Sequence, residues 1–467
     1  MKICHFRRQT SGVGCVMRQV WCVISALAMV APSHAPAQTS APVVRTEAGR
    51  VRGAIDADGV HWKGIAFAAS PTGSLRWHPP QPAPRWTGIR DTTAYRNDCM
   101  QAPFPSDAAP LGTAPAEDCL YLNIWKPAKA HGKLPVMVWV YGGGFVNGGS
   151  SPPTYSGAKL ARQGVLVVSF NYRLGRFGTF RHPALGTDQV VNYGLMDQIA
   201  ALQWVRRNVA AFGGDPAQVT LVGESAGGRS VHALLTSPLS QGLFQRAVIM
   251  SGSDGLSGPL STPADAQELA VAFGRSRGIK PEAPDAAEQL RALTAAQVTG
   301  DLNLAHMGTP EKPAFFSPVI DGRSAVEAAD AYRAGRFRPM PVMIGATSAD
   351  IGGPDGRMIA GARNLASLFA AKGQPVYAYR FSYVATAIGG TQAYHATDIP
   401  FFFDTQAIKY GPQTSPRDNQ MGRTISAYLV NFVKTGDPNG RGLTDWPRHD
   451  KGQRLMDFTL DGTAAVD

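Results

Sequence analysis

Six stretches of the chain are apolar without alternation: residues 134–140, 165–170, 219–222, 247–250, 341–344 and 376–383. A strand that is apolar on both faces belongs in a sheet covered by helices on either side. Helical spacing separates these runs. Leu195, Ile199, Leu202, Val205 and Val209 recur every three or four residues, and Gly213-Gly214 stops the pattern. Residues 228–235, 263–277, 364–372 and 424–434 are further helical segments. Alternating strand and helix predicts one doubly wound α/β domain over residues 38–467. Residues 43–91 are broken by Gly and Pro into short alternating runs, which suggests a small antiparallel opening. Residues 99–117, rich in Pro and Ala, read as a loop.

The start of the chain reads differently. Lys2, Arg7, Arg8 and Arg18 precede an apolar stretch at 20–31, and Ala35-Pro36-Ala37 before Gln38 has the small-x-small form of a cleavage site. Residues 1–37 are therefore expected to be a signal peptide that directs the chain to the periplasm or outside the cell, with Met17 as an alternative start. The apolar stretch is too short to span a bilayer, so no integral membrane segment is expected. Without the leader the chain keeps 41 basic against 34 acidic residues, scattered and without aromatic interleaving, so nucleic acid is not an expected partner. Two cysteines also remain, Cys99 and Cys119. In an exported protein such a pair reads as a disulfide, worth about 3 kcal/mol for a loop of that size.

Gly223-Glu224-Ser225-Ala226-Gly227 follows one apolar run and opens a helical one. A Gly-x-Ser-x-Gly turn between strand and helix holds the serine hydroxyl above the sheet, over a helix N-terminus that favours developing negative charge. Such a nucleophile needs a base, and the base an orienting acid, in the chain order serine, acid, histidine. Four histidines follow Ser225. His232 lies two turns along the same helix, and His306 leaves no strand end for an acid before it. His395 sits in a loop after the 376–383 run and is the expected base, with His449 as runner-up. Asp350, just past the 341–344 run, stands where open α/β sheets place their sites. Asp321 reads as a turn residue and Asp398, three residues from His395, as structural.

Gly142-Gly143-Gly144 follows the 134–140 run, and the N–H groups of Gly143, Gly144 and Ala226 are the expected oxyanion donors. No metal-binding or phosphate-cradling motif occurs, so no metal and no cofactor are expected.

Glu117-Asp-Cys-Leu-Tyr-Leu-Asn-Ile-Trp125, Tyr141-Gly-Gly-Gly-Phe145, Asn171-Tyr-Arg-Leu-Gly175, Asn192-Tyr-Gly-Leu-Met-Asp-Gln198 and Phe212-Gly-Gly-Asp-Pro216 together resemble type-B carboxylesterases, the group that includes cholinesterases and bacterial p-nitrobenzyl esterases. The resemblance runs from about residue 43 to 458. It implies an α/β-hydrolase fold and hydrolysis of small-molecule carboxylic esters through an acyl-enzyme. It also implies a Cys99–Cys119 disulfide and triad roles for Ser225, Asp350 and His395. Arg76–Glu117 and Arg173–Asp197 become structural ion pairs, and Ser253 is placed near the acid. Inactive adhesion proteins, amidases and lactonases on the same machinery are the alternatives; the presence of the nucleophile, base and acid weighs against the first.

This chain departs from the group's pattern in four places. Asp350 stands where Glu is usual. Phe104 is the one aromatic between the two cysteines, where cholinesterases hold choline on a tryptophan, so choline esters are not the expected substrate. Arg229 replaces a small residue one turn after Ser225, and Arg229 and Phe104 are the candidate substrate-binding residues, Arg229 for a second negative charge. The interval from 350 to 395 is short, which leads to the expectation of an open pocket of broad specificity. The oligomeric state is not legible.

Overall fold

The structure is a computed structural model. It describes residues 41–467 apart from 58, 187–189, 256–260, 309–313, 316 and 451–452, so the expected signal peptide lies outside the described residues. Eleven strands form the main sheet: β1 (Ala54–Asp56), β2 (Gly59–Ala66), β3 (Tyr121–Lys126), β4 (Leu134–Val140), β5 (Leu166–Phe170), β6 (Gly214–Glu224), β7 (Arg246–Met250), β8 (Val342–Thr347), β9 (Val376–Phe381), β10 (Met456–Phe458) and β11 (Ala464–Val466). Their spatial order is β11-β10-β9-β8-β7-β6-β4-β5-β3-β2-β1. From β10 to β5 all neighbours are parallel; β5–β3–β2–β1 and β10–β11 are antiparallel.

The uninterrupted apolar runs explain the centre of this sheet. Every residue of β5 and β8 is buried, which requires helices over both faces. The main helices are α1 (Tyr193–Asn208), α2 (Ala226–Thr236), α3 (Pro263–Ser276), α4 (Arg357–Ala371) and α5 (Pro416–Thr435). Against the sequence reading, α4 starts seven residues earlier and α5 eight. In α5, Ser415 and Asp418 form a reciprocal capping box around a proline at the first turn, which fixes the true start. The opening is only partly antiparallel. Val43–Arg45 and Arg50–Arg52 pair antiparallel, but Arg50–Arg52 then pairs parallel with Ile89–Asp91.

From β4 the chain crosses to β5 on one side and returns to β6 on the other. The carboxyl ends of β4 and β6 therefore flank a topological switch point, where open sheets hold their sites. In register Val140 faces Gly223, so Tyr141–Gly144 and Ser225 leave the sheet side by side. The Cys99–Cys119 disulfide is present and closes the loop beside them. Arg173 and Asp197 form a buried two-pronged pair, both bonds 2.8 Å, and Arg76 Nε donates to Glu117 Oε2 at 2.8 Å. No helix among the described residues is long and apolar enough to cross a membrane.

Candidate active site

Ser225 caps α2 with φ 56° and ψ −118°, a strained conformation for a residue with a Cβ. Close packing holds it there. A Cβ on Gly227 would lie 2.0 Å from the Val140 carbonyl oxygen, and one on Gly223 2.3 Å from that of Gly227, so both positions require glycine. The Ser225 N–H donates to Met250 at the end of β7, and its Oγ lies 2.8 Å from His395 Nε2.

His395 Nδ1 in turn lies 2.6 Å from Asp350 Oδ1. Both loops leave neighbouring strands, and a backbone bridge between Ala349 and Tyr394 aligns them. Asp350 is nearly sealed from solvent. Its Oδ2 accepts from Ser251 Oγ at 2.7 Å and from both the Oγ1 and the N–H of Thr347, while the N–H of Ile351 donates to Oδ1. Burial acts to raise this carboxyl, but His395 and the surrounding donors hold it below the usual range. The serine beside the acid is thus Ser251, not Ser253. Ser253 Oγ donates instead to the carbonyl of Arg357 at 3.1 Å. The reason is register: Ser251 follows β7 directly, and its N–H bonds to Gly345 of β8, which carries it to the acid.

Two further carboxylates lie close by. Glu224, the last residue of β6, is buried with Oε1 3.4 Å from His395 Nε2, and burial pushes its carboxyl up to about 8. Asp398 is also buried, accepts from Tyr379 OH at 3.3 Å, and is pushed up to about 7 by burial and then by the charge of Asp350. Burial acts to lower His395, but the charges of Glu224 and Asp350 outweigh it and push it up to about 9. These groups titrate as a set, since a proton on Glu224 removes a charge that lifts His395. The sequence signal for Glu224 was an acidic residue two positions past the apolar 219–222 run.

The N–H groups of Gly143, Gly144 and Ala226 make no hydrogen bond among the described residues. Gly143 and Gly144 have φ of 101° and 63°, which turns the chain after β4. That turn is fastened to its surroundings: Asn147 donates to Ala102 and accepts from the N–H of Leu304. Phe104 is half-buried in the loop closed by the disulfide, and the neighbouring Pro103 carbonyl accepts from Asn303. Arg229 is exposed one turn beyond Ser225.

The remaining candidates lie elsewhere. His449 is buried between Ser367 Oγ at 3.0 Å and the carbonyl of Arg454 at 3.1 Å. His232 is 2.8 Å from Tyr332 OH, and His306 is 3.0 Å from the carbonyl of Asp301. Asp321 accepts the N–H groups of Arg323, Ser324 and Ala325, a turn role. A cavity of about 310 Å³ lined by Arg176, Phe180, Phe273, Arg277 and Asp301 includes none of Ser225, His395 and Asp350. No group of three or more potential metal ligands occurs among the described residues.

A mixed sheet with a strained serine between strand and helix, a histidine on its hydroxyl and an acid behind it defines an α/β-hydrolase of the serine-esterase class. The chain belongs to the carboxylesterase family, whose model matches residues 40–354 and 353–466. It is 34% identical to the para-nitrobenzyl esterase of Bacillus subtilis (strain 168), over 88% of this chain and 93% of that protein. It is 33% identical to the fumonisin B1 esterase of Sphingopyxis macrogoltabida, over 90% and 87%. A solved para-nitrobenzyl (PNB) esterase structure superposes with a TM-score of 0.82 at 29% identity, covering 92% of this chain and 97% of its own. Ester hydrolysis is the chemistry of this serine carboxylesterase.

Proposed function

We propose that hydrolysis proceeds through an acyl-enzyme on Ser225, with His395 as general base and Asp350 as the acid that orients it. The observation that supports this most is the continuous run from Ser225 Oγ through His395 to Asp350, with contacts of 2.8 and 2.6 Å. His395 Nε2 takes the serine proton as Oγ bonds to the ester carbonyl carbon. The oxyanion is received by the N–H groups of Gly143, Gly144 and Ala226, each worth about 3 kcal/mol in the transition state. The carbon–alkoxy bond then breaks, and the alcohol leaves with the proton from His395. A water molecule, deprotonated by the same nitrogen, attacks the acyl-enzyme, and the acid departs as Ser225 regains its proton. Asp350 stabilises the imidazolium formed in each half.

The substrates are small-molecule esters, and the protein works in an oxidising compartment. The basic-apolar leader at residues 1–37 and the Cys99–Cys119 disulfide support export to the periplasm or the medium.

Turnover of 4-nitrophenyl butyrate tests the assignment. Ser225→Ala and His395→Ala are each expected to lower kcat by several orders of magnitude with an unchanged melting temperature, because the three groups act as a unit. Full activity in His395→Ala would move the base elsewhere, and His449→Ala identifies whether it moves there.

A further inference from the structure

Two exposed arginines flank the loop that follows β7. Arg229 stands on α2, its N–H bonded to the Ser225 carbonyl at 2.9 Å. Side chains on a helix lean toward its N-terminus, so Arg229 extends back toward the Ser225 end of α2. Arg357 is the first residue of α4, seven positions after Asp350. Residues 252 and 253 of this loop are packed tightly on both sides. A Cβ on Gly228 would lie 2.8 Å from Gly252, and one on Gly361 of α4 2.8 Å from Ser253 Oγ. Ser253 Oγ also holds the carbonyl of Arg357.

Neither guanidinium has an ion pair or a side-chain hydrogen bond among the described residues. Burial lowers the pKa of the Arg229 guanidinium, and the like charge of Arg357 lowers it further. The carboxylate of Asp254 in the intervening loop is buried and acts on His232 and Tyr332. Arg357 also opens a helix with no acidic residue in its first turn, where a cation opposes the helix dipole. Two cations held near each other with no ion pair to either among the described residues are a standing repulsion that a bound anion relieves.

We propose that Arg229 and Arg357 form an anion subsite beside Ser225, and that the substrates are esters carrying a free carboxylate, such as half-esters of dicarboxylic acids. This deepens the esterase reading above and rests on it. A guanidinium presents a planar fork of donors that matches a carboxylate, so the pair fixes the substrate's free acid group while its ester carbonyl meets Ser225 Oγ. The free carboxylate takes no part in bond changes. It is released from the arginines, still ionised, with whichever product carries it.

The test compares methyl hydrogen glutarate with dimethyl glutarate in the parent, Arg229→Ala, Arg357→Ala, the double alanine variant and Arg229→Lys. The ratio of kcat/KM for half-ester over diester is expected to fall about tenfold or more in each alanine variant, mainly through KM, since a charge-assisted bond contributes that much. Arg229→Lys should recover part of the ratio. Glutarate itself should raise the melting temperature of the parent and not of the double variant. A ratio within about twofold of the parent throughout, with an equal glutarate shift in the double variant, overturns the subsite. If neither ester is turned over, the esterase reading fails on its own, and the glutarate shift still decides the subsite.

Discussion

The N–H of Ala349 donates to the carbonyl of Ala393 at 2.9 Å, and this bond joins the loop of Asp350 to the loop of His395. Asp350 follows Ala349 directly and His395 lies two residues after Ala393, 45 positions apart in the chain. A short aspartate reaches the imidazole because the two backbones are already paired. Asp350→Asn keeps the shape and removes the charge that stabilises the imidazolium. It is expected to lower kcat about 10⁴-fold with little change in melting temperature. An active Asp350→Asn variant would assign the role of the acid to another carboxylate, and Glu224 and Asp398 are the nearest.

In the proposed mechanism Glu224 sets the pH at which His395 is free to act as base. Its charge raises His395, and a general base must be neutral to accept a proton. Replacing Glu224 by Gln removes that charge, so the pKa of His395 falls and the acid limb of the kcat/KM profile moves to lower pH. A limb at unchanged or higher pH in Glu224→Gln would show that the two groups are not coupled.

The elbow allows no side chain at Gly227. An alanine there would put its Cβ 2.0 Å from the Val140 oxygen, on backbone that cannot turn aside. Gly227→Ala is expected to lose both soluble expression and activity, whereas Ala287→Gly, on a short helix among residues 286–292 far along the chain, should change melting by only a few degrees, in line with about 1 kcal/mol for a helical glycine. Expression is read by yield and folding by circular dichroism. A folded, active Gly227→Ala would contradict the packing.

Cys99 and Cys119 close a loop of 20 residues that carries Phe104 and meets the Gly143–Asn147 turn through Gln101 and Ala102. Removing the bond as Cys99→Ser with Cys119→Ser should lower stability by about 3 kcal/mol in denaturant titration. Thiol counting on the unreduced, denatured parent should find no free thiol at these two positions.

The central strands and the elbow were legible because each rests on local chemistry. An apolar run of four to eight residues has few alternatives, and Gly-x-Ser-x-Gly at the end of one has a defined geometry. Pairing was less legible. Ser251 rather than Ser253 meets Asp350 because of the β7–β8 register, in which Met250 faces Gly345, and nothing in either segment's sequence announces that alignment. The early start of α4 was hidden for a different reason: Gly356, which caps it, has no side chain to signal a cap. Arg229 stood out in the sequence as a large residue where a small one is usual, but its companion Arg357 lies 128 positions away and emerges only when α4 docks on the loop after β7.

The account rests on one reactive hydroxyl at the end of β6. The most direct test is labelling of the purified protein with a fluorophosphonate, read by intact mass and by peptide mapping, in the parent and in Ser225→Ala. The account expects a single adduct on the peptide containing Ser225 in the parent and none in the variant. Equal labelling of Ser225→Ala, or a parent that hydrolyses esters yet carries the adduct on another residue, would contradict it.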